Sequence, residues 1–350
     1  MNSLSETPGS TCESARRHWG IDGVSLGISI GGASNTREWN RAREWVELAD
    51  TAGLHSVWMP EMHFSPGGST SPLLCLAALA TCTQRIRLAT TSLLIPIHNP
   101  LRVAEEIASL DRLSHGRALI GLGRGFRAPL FSAFGIDPST KRKRFDAALD
   151  LILAAWRGES VTLKGTLFET RSFQDTAQAS TPYQKPHPPL AVAAFGQMGL
   201  AQAARRGLPY LASPIETYDQ IRENLTHHRE GIGDTACTGR WVTPVMRTVF
   251  ISNEASVCRR VLEGLTQEGR RSAPPASPKL PAALARAVAA PASERVIVGG
   301  VEEVKERLNE YKKNLGMNLL VMRPQVPGVS ESQRRGSFDH LVGEVLPALN

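Results

Sequence analysis

With 350 residues, of which 41% are hydrophobic and 21% charged, the sequence has the composition of a globular protein with a substantial core. The formal net charge is +7, but the basic residues are scattered and aromatic residues make up only 6%, which argues against a nucleic-acid-binding surface. Five cysteines without paired spacing, and no apolar run approaching about 18 residues, argue against a disulfide framework, a zinc site and a membrane span, and favour a cytoplasmic protein.

Eight apolar runs alternate with helical patterns along the chain and predict the strands of an α/β protein. In chain order they are GVSLGISI (23–30), HSVWMP (55–60), IRLATTSLLI (86–95), RALIGL (117–122), PLAVAA (189–194), LPYLAS (208–213), WVTPVMRTVFIS (241–252) and MNLLVMR (317–323). Eight such units predict a (β/α)8 TIM barrel, whose active site lies where strands lead into helices.

The remaining segments predict the domain organisation. Residues 1–22 lack the apolar centre of a signal peptide and are expected to be a disordered extension, so that 23–350 form a single barrel domain. Residues 158–189 interrupt the pattern at a catalytic-end loop, with a predicted hairpin around VTLKGTLFE. The Pro- and Ala-rich residues 272–293 are either a connector or a mobile lid over the barrel mouth.

Polar residues that follow the predicted strands are the candidates for a site. Glu61 and His63 follow the second strand, His98 and Asn99 follow the third, and Arg124 follows the fourth. The other histidines are expected to be structural. Because the sequence has no HExxH motif, no metal-binding carboxylate set and no GxSxG motif, it favours a pocket for an anionic cofactor that brings its own reactivity.

The motif GLGRGF (121–126) resembles a dinucleotide-binding turn only in part. Gly121 and Gly123 match the first and third glycines of that motif, but Phe126 stands at the sixth place and no helix start follows. We therefore expect the three glycines to bend the backbone sharply at a barrel-strand exit.

Several blocks together resemble the bacterial luciferase-like flavin-dependent monooxygenases. They include SVWMPEMHF, LATTSLLIPIHNPLRVAEEIASLDRLSHGRALIGLGRGF, KRFDAALDLILAAWRGE and PHPPLAVAAFGQMGLAQAARRGLP, and the similarity extends from about residue 24 to 346. The resemblance implies a luciferase-like barrel in which reduced FMN reacts with O2 to a peroxyflavin that oxygenates a small organic substrate. A separate flavin reductase would supply the reduced flavin, and a homodimer is implied as well.

The resemblance also assigns cofactor-binding residues. The family's phosphate-binding arginines correspond to Arg124 and to Arg142, which we expect on the inward face of its helix with Phe145 and Leu149, with Arg144 as a substitute. A non-proline cis peptide behind the flavin ring corresponds to Thr91–Ser92, the alternative being an ordinary strand pair. The remaining predicted contacts are Asn99 and the backbone amides of Gly196, Gln197, Met198 and Gly199.

One position departs from the luciferases, which read Glu-His-His-Phe where this chain has Glu61, Met62, His63 and Phe64. The first histidine of that motif is their catalytic one, so light emission from an aldehyde is not expected here. His63 becomes the candidate acid or base, Glu61 its orienting partner, and His98 the reserve candidate.

Two rival functions remain open at this point. The first is a deazaflavin-dependent oxidoreductase on the same barrel. The second is a non-catalytic flavin-binding barrel subunit, which Met62 favours and the phosphate arginines oppose.

Overall fold

The computed structural model describes residues 15–31, 35–65, 68–159, 168, 181–233, 241–272 and 282–350. Parallel strands alternate with helices along this part of the chain. The strands are β1 Ser25–Ser29, β2 Ser56–Met59, β3 Arg87–Leu93, β4 Ala118–Gly123, β5 Leu190–Ala193, β6 Tyr210–Leu211, β7 Pro244–Ile251, β8 Val296–Gly299 and β9 Leu319–Arg323.

The helices follow the strands in the expected alternation. They are α1 Thr36–Thr51, α2 Pro72–Ala80, α3 Pro100–Leu113, α4 Ala128–Ala133, α5 Lys141–Trp156, α6 Gln197–Arg205, α7 Tyr218–Ile232, α8 Ala255–Ser272, α9 Ala282–Ala289, α10 Val301–Glu310, α11 Glu331–His340 and α12 Leu346–Leu349. None of the described helices is long and apolar enough to cross a membrane.

The chain forms two compact units. The N-terminal unit comprises Gly31–Gly53 and Val57–Ala193, and the C-terminal unit comprises Met1–Ile30, Leu54–Ser56 and Ala194–Asn350. The expectation of one undivided domain over residues 23–350 stays a prediction.

In the N-terminal unit the strands lie in the order β5-β4-β3-β2. All six residues of β4 are buried, as expected for a strand covered on both faces. The register of β3 against β4 shifts between Thr91 and Leu93, which marks a bulge at the end of β3. Helix α1 begins at its cap residue Asn35, whose side chain accepts the N–H of Glu38.

In the C-terminal unit the strand order is β1-β9-β7-β8. β7 is long enough to pair with β9 through its first half and with β8 through its second half, and a bridge from Ala212 to Val245 joins the β6 segment to it. β8 was not predicted, because its four residues are too short to separate by periodicity from the helix that follows.

Two predicted segments differ from the structure or lie partly outside it. Residues 15–19 are helical and Trp19 and Ile21 are buried, so the packed structure begins inside the predicted extension of residues 1–22. Residues 282–289 of the candidate lid form helix α9, while 273–281 and, apart from the buried Phe168, the hairpin predicted around 161–169 lie outside the described residues.

Candidate active site

Three of the predicted site residues follow two neighbouring strands of the N-terminal unit. Glu61 and His63 follow β2, and His98 ends the short 3₁₀ turn Ile95–Ile97 after β3. Carboxyl ends of neighbouring parallel strands lie at the same edge of a sheet. The fold therefore brings these side chains together.

Glu61 joins the two histidines. Its Oε1 lies 2.7 Å from Nε2 of His63 and 2.7 Å from Nε2 of His98, and its Oε2 accepts a 2.6 Å hydrogen bond from the N–H of Leu94. The Glu61 side chain is fully buried, whereas the side chains of His63 and His98 are 11% and 31% exposed. A buried carboxylate thus orients two partly accessible imidazoles.

The charge of Glu61 determines which ring nitrogens carry protons. Burial raises the pKa of Glu61, but hydrogen bonds from His98, Leu94 and His63, with the electrostatic attraction of His98, outweigh burial and hold this pKa below its ordinary value of 4.5. An ionised carboxylate only accepts hydrogen bonds, so Nε2 of each imidazole is the donor. In the neutral ring, Nδ1 then carries the lone pair that can accept a proton.

Aromatic side chains flank His63. The Phe134 ring lies edge-on to His63 with centroids 5.0 Å apart, and the Phe64 ring lies 5.9 Å away. Met62, at the position of the luciferase histidine, is 43% exposed, and its backbone N–H donates to the carbonyl of Ser69. The carboxylate of Glu61 contacts the side chains of His63 and His98. Met62 has no hydrogen-bond donor on its side chain, so it cannot take the place of either histidine at this carboxylate.

The predicted cis peptide is present between Thr91 and Ser92. Next to it, a Cβ on Gly123 would lie 2.0 Å from Oγ and 2.8 Å from Cβ of Ser92, so only glycine fits at this position. Gly121 and Gly123 lie within β4, and of the three glycines only Gly125 has a positive φ, +68°. The expected sharp bend is therefore confined to Gly125. Gly123 instead allows Ser92 of β3 to lie close to the backbone of β4.

Asn99 has a structural role in the described chain. It caps α3, because its Oδ1 accepts the N–H groups of Leu101 and Arg102 at 3.0 and 3.3 Å. A contact between Asn99 and a cofactor remains a prediction.

Three cationic side chains repel one another electrostatically at the end of β4 and the start of α5. They are Arg124, Lys141 and Arg142. Arg124 Nε is buried without a hydrogen-bond acceptor among the described residues. Burial lowers the pKa of Arg124 and repulsion from Arg142 lowers it further, against attraction by Asp146. Burial, Arg124 and Arg142 likewise lower the pKa of Lys141. An anion among these groups would relieve the repulsion and provide an acceptor.

The orientation predicted for Arg142 was wrong. Arg142 is exposed, while Lys141 and Arg144 are half-buried. Side chains on a helix tilt toward its N-terminus, and Arg142 lies in the first turn of α5. Its side chain therefore extends beyond the end of the helix, whereas Phe145, one turn later, packs in the core. Arg144 was predicted as the substitute for Arg142 at the phosphate. Its Nε instead donates to the carbonyl of Pro96 at 2.8 Å, so this donor is already used within the protein.

The predicted phosphate-binding turn, residues 196–199, lies in the C-terminal unit. Gly196 has a φ of +74° and precedes α6 as its cap residue. The N–H of Gly199 donates to the carbonyl of Gly196 at 3.0 Å, so this amide already serves the turn. Gln197 and Met198 are exposed at the first turn of α6, where helix amides favour anions.

Two residues near the site were not singled out from the sequence. Lys141 lies in the basic run KRKR, in which only Arg142 and Arg144 were expected to bind phosphate. Phe134 lies far along the chain from His63, and only the fold brings their rings together.

The chain belongs to the luciferase-like monooxygenase family, whose model matches residues 23–318. It is therefore an oxidoreductase of that family, as the sequence blocks predicted.

Several relatives share parts of the chain. An uncharacterised protein of Sinorhizobium fredii is 29% identical over 286 residues, 79% of this chain and 82% of that protein. The oxygenase component of a flavin-dependent trigonelline monooxygenase of Acinetobacter baylyi is 29% identical over 53% of this chain and 51% of its own. An F420-dependent glucose-6-phosphate dehydrogenase of Kineococcus radiotolerans is 32% identical over 59% of this chain and 62% of its own. Against these two named relatives the chain therefore spans about half to three fifths of their length.

Solved structures show the same fold. The monooxygenase RslO1 of Streptomyces bottropensis aligns with a TM-score of 0.77 and 24% identity, covering 93% of this chain and all of that one. The oxygenating constituent of 3,6-diketocamphane monooxygenase of Pseudomonas putida aligns with a TM-score of 0.73 and 19% identity, covering 93% and 98%. The predicted luciferase-like (β/α)8 fold is confirmed.

Proposed function

We propose that the protein is an FMN-dependent monooxygenase that uses O2 to oxygenate a small organic substrate. The observation that carries this proposal is the cluster of Glu61, His63 and His98, in which a buried carboxylate holds two partly accessible imidazoles by 2.7 Å contacts. The named monooxygenases among its relatives support the reaction class.

The residues at the end of β4 fit the phosphate of such a cofactor. Arg124 has a buried Nε without an acceptor among the described residues, and its pKa, like that of Lys141, is lowered by burial and by neighbouring cations. A phosphate dianion would accept from Arg124 and balance the charges of Lys141 and Arg142. Within the C-terminal unit we propose the amides of residues 196–199 as cofactor-binding donors, and within the N-terminal unit Thr91, Ser92 and Asn99 are the proposed contacts with the rest of the flavin.

Bound reduced flavin would supply the activation of O2, and the chain would manage one proton. His63 is the proposed acid or base at Nδ1, because its Nε2 is engaged by Glu61. Glu61 stays ionised and stabilises an imidazolium during the transfer. The Phe64 and Phe134 rings lie beside His63 and give one side of its imidazole an apolar surrounding.

The proposal includes partners. A relative is named as an oxygenase component, which supports a separate reductase as the source of reduced flavin. We further propose a homodimer, on the family resemblance, and a cytoplasmic location, on the five cysteines without paired spacing.

A deazaflavin-dependent oxidoreductase is the second candidate, and a specific finding favours it. The F420-dependent dehydrogenase is 32% identical over 221 residues, which lies between the 29% of the trigonelline monooxygenase component and the 37% of a limonene 1,2-monooxygenase. The same cationic group would serve the phosphate of either cofactor.

A cofactor panel tests the proposal. With reduced FMN and a set of candidate ketones, terpenes and N-heterocycles, we expect O2 consumption with equimolar oxygenated product. Absorbance change with F420 and an alcohol, without O2 consumption, would replace the proposal with the second candidate. Flavin binding without turnover on any of these would favour the non-catalytic subunit.

A further inference from the structure

The candidate acid or base belongs to a contiguous set of three rings. The ring centroid of His63 lies 5.0 Å from that of Phe134 and 5.9 Å from that of Phe64, and the two phenylalanine centroids lie 6.1 Å apart. Phe64 is 67% exposed and Phe134 is 40% exposed. These three residues, here called the ring cluster, place two open apolar surfaces beside the imidazole that is proposed to transfer a proton.

The backbone of Phe64 is strained. Its φ is +53°, a left-handed value that glycine adopts freely and asparagine tolerates, but that is rare for a bulky side chain. Such conformations persist only where the surrounding structure enforces them, and they cluster at functional sites. The fold therefore holds the Phe64 ring in contact with solvent against both the hydrophobic effect and the local preference of the backbone.

The loop that carries Phe64 is closed by hydrogen bonds. The N–H of Met62 donates to the carbonyl of Ser69 at 2.7 Å, and the N–H of Gly68 donates to the carbonyl of Ser65 at 3.0 Å. A Cβ on Gly68 would lie 2.6 Å from the carbonyl oxygen of Met62, so the two sides of the loop approach too closely for a side chain. The exposure of Phe64 is thus imposed by the packing of its loop.

The ring cluster limits the chemistry of a molecule that reacts beside His63. A group that exchanges a proton with His63 has to lie within hydrogen-bond distance of its ring, and the adjoining part of that molecule then lies beside Phe64 and Phe134. Neither phenylalanine offers a hydrogen bond or an opposite charge, so a charged group packed on them would lose its hydration without a partner. An uncharged ring fits better, because rings that stack or meet edge-on bury the apolar surfaces of both.

We propose that the ring cluster is the substrate-binding surface for an uncharged ring compound, whose ring packs on Phe64 and Phe134 while its reacting atom lies beside His63. This inference rests on the proposed function, since it takes His63 as the group that acts on the substrate. A carboxylate substrate would instead need a cation at the loop. Arg127 could supply it, because its Nη1 donates to Oγ of Ser65 at 3.0 Å, so the test includes a carboxylate.

Binding of two matched probes to the full chain, with and without oxidised FMN, tests the surface without turnover. Phenylacetone and phenylacetate share a benzyl group and differ in a methyl group against a charged oxygen. We expect titration calorimetry to show saturable binding of phenylacetone, and binding of phenylacetate weaker by about tenfold or more.

Phe64→Asn removes the ring and places a residue that tolerates a positive φ at this position. It should weaken phenylacetone binding by about ten- to a hundredfold, the contribution of burying one phenylalanine side chain. Because the strain is relieved and little buried surface is lost, its denaturation midpoint should equal or exceed that of wild type. A merely structural role of Phe64 would lower that midpoint.

Leu74→Asn is the matched control, because Leu74 of α2 is 73% exposed and lies outside the ring cluster, so phenylacetone binding should not change. Unchanged phenylacetone binding in Phe64→Asn, or tighter binding of phenylacetate than of phenylacetone by wild type, would overturn the proposal. So would an equal loss of FMN affinity in Phe64→Asn, because the ring would then contact the flavin.

Failure of the proposed function has a different signature. A wild-type protein that binds phenylacetone through Phe64 but consumes no O2 with reduced FMN would retain this binding surface and would not be the proposed monooxygenase. O2 consumption together with phenylacetone binding that is insensitive to Phe64→Asn would retain the monooxygenase and overturn the surface.

Discussion

Glu61 determines the chemistry available at the residue scale, because it controls two histidines at once. Both Nε2 atoms lie 2.7 Å from the same carboxylate oxygen, so each ring presents Nδ1 away from it. His63 and His98 thus differ in exposure and surroundings and not in their anchoring partner.

Replacing His63 separates proton transfer from flavin binding. We expect His63→Ala to slow product formation by about 10²-fold, the usual contribution of acid–base catalysis, with flavin affinity within a few-fold of wild type. Single-turnover kinetics and flavin fluorescence measure the two effects. His227→Ala, an exposed histidine of α7, is the control. Unchanged turnover in His63→Ala, with loss in His98→Ala, would transfer the role to His98.

Replacing Arg124 tests the phosphate site. Loss of one charged hydrogen-bond partner costs about 1.5–3 kcal/mol, so Arg124→Ala should weaken FMN by about ten- to a hundredfold and riboflavin hardly at all. Arg127→Ala is the matched control, since that side chain is exposed and contacts Ser65. Equal losses for both flavins would show that Arg124 does not contact the phosphate, and no loss would move the phosphate site elsewhere.

At the scale of elements, the ends of β3 and β4 depend on each other. A side chain on Gly123 would overlap Ser92, where the register of the two strands shifts. Contacts this close involve backbone-attached atoms of both strands and are not relieved by rotation of one side chain. Glycine at this position therefore follows from the packing of β3 on β4.

Gly123→Ala should destabilise the protein by about 1–3 kcal/mol, the usual cost of overpacking a closely packed site. Chemical denaturation measures this. Gly336→Ala in α11 is the control, because a Cβ there meets nothing within 4 Å and alanine is the better helix former. Comparable stability of the two variants would mean that β3 can shift to make room.

At the scale of the whole molecule, stability should depend on pH through Glu216. Its folded-state pKa of about 7 lies above the ordinary 4.5, so the native protein holds a proton that the unfolded chain has lost. The resulting stability is complete below pH 4.5 and is lost as the pH rises to about 7. Glu61 acts in the opposite sense, because its lowered pKa stabilises the native protein above pH 4.5.

Because Glu216→Gln does not titrate, its stability relative to wild type should rise by at most about 3 kcal/mol as the pH goes from 4.5 to about 7. A constant offset from the amide, which faces hydrogen-bond donors, is expected on top of this change. Denaturant unfolding at a series of pH values measures it, with the exposed Glu223→Gln as control. A constant difference across the series would show that Glu216 does not titrate in the native protein.

Periodicity along the chain sufficed to predict eight of the nine described strands, since a buried strand reads as an apolar run wherever it packs. It failed for β8, which is short and borders a helix. His63 and His98 could be predicted as site residues because the end of a strand can be recognised from local sequence. The exposed orientation of Arg142 could not be predicted, because it depends on where the first turn of α5 meets the core.

By itself, the sequence determined the alternation of strands and helices, the family, and the identities of Glu61, His63, His98 and Arg124 as residues at strand ends. These depend on residue order alone. Only the tertiary structure decided that Glu61 contacts both histidines, that Lys141 joins Arg124, and that Glu216 is buried beside Arg247. Glu61 and His98 lie 37 positions apart in the sequence, so no local pattern records their contact. The pKa values of the buried groups shift because burial removes water, which the sequence does not record either.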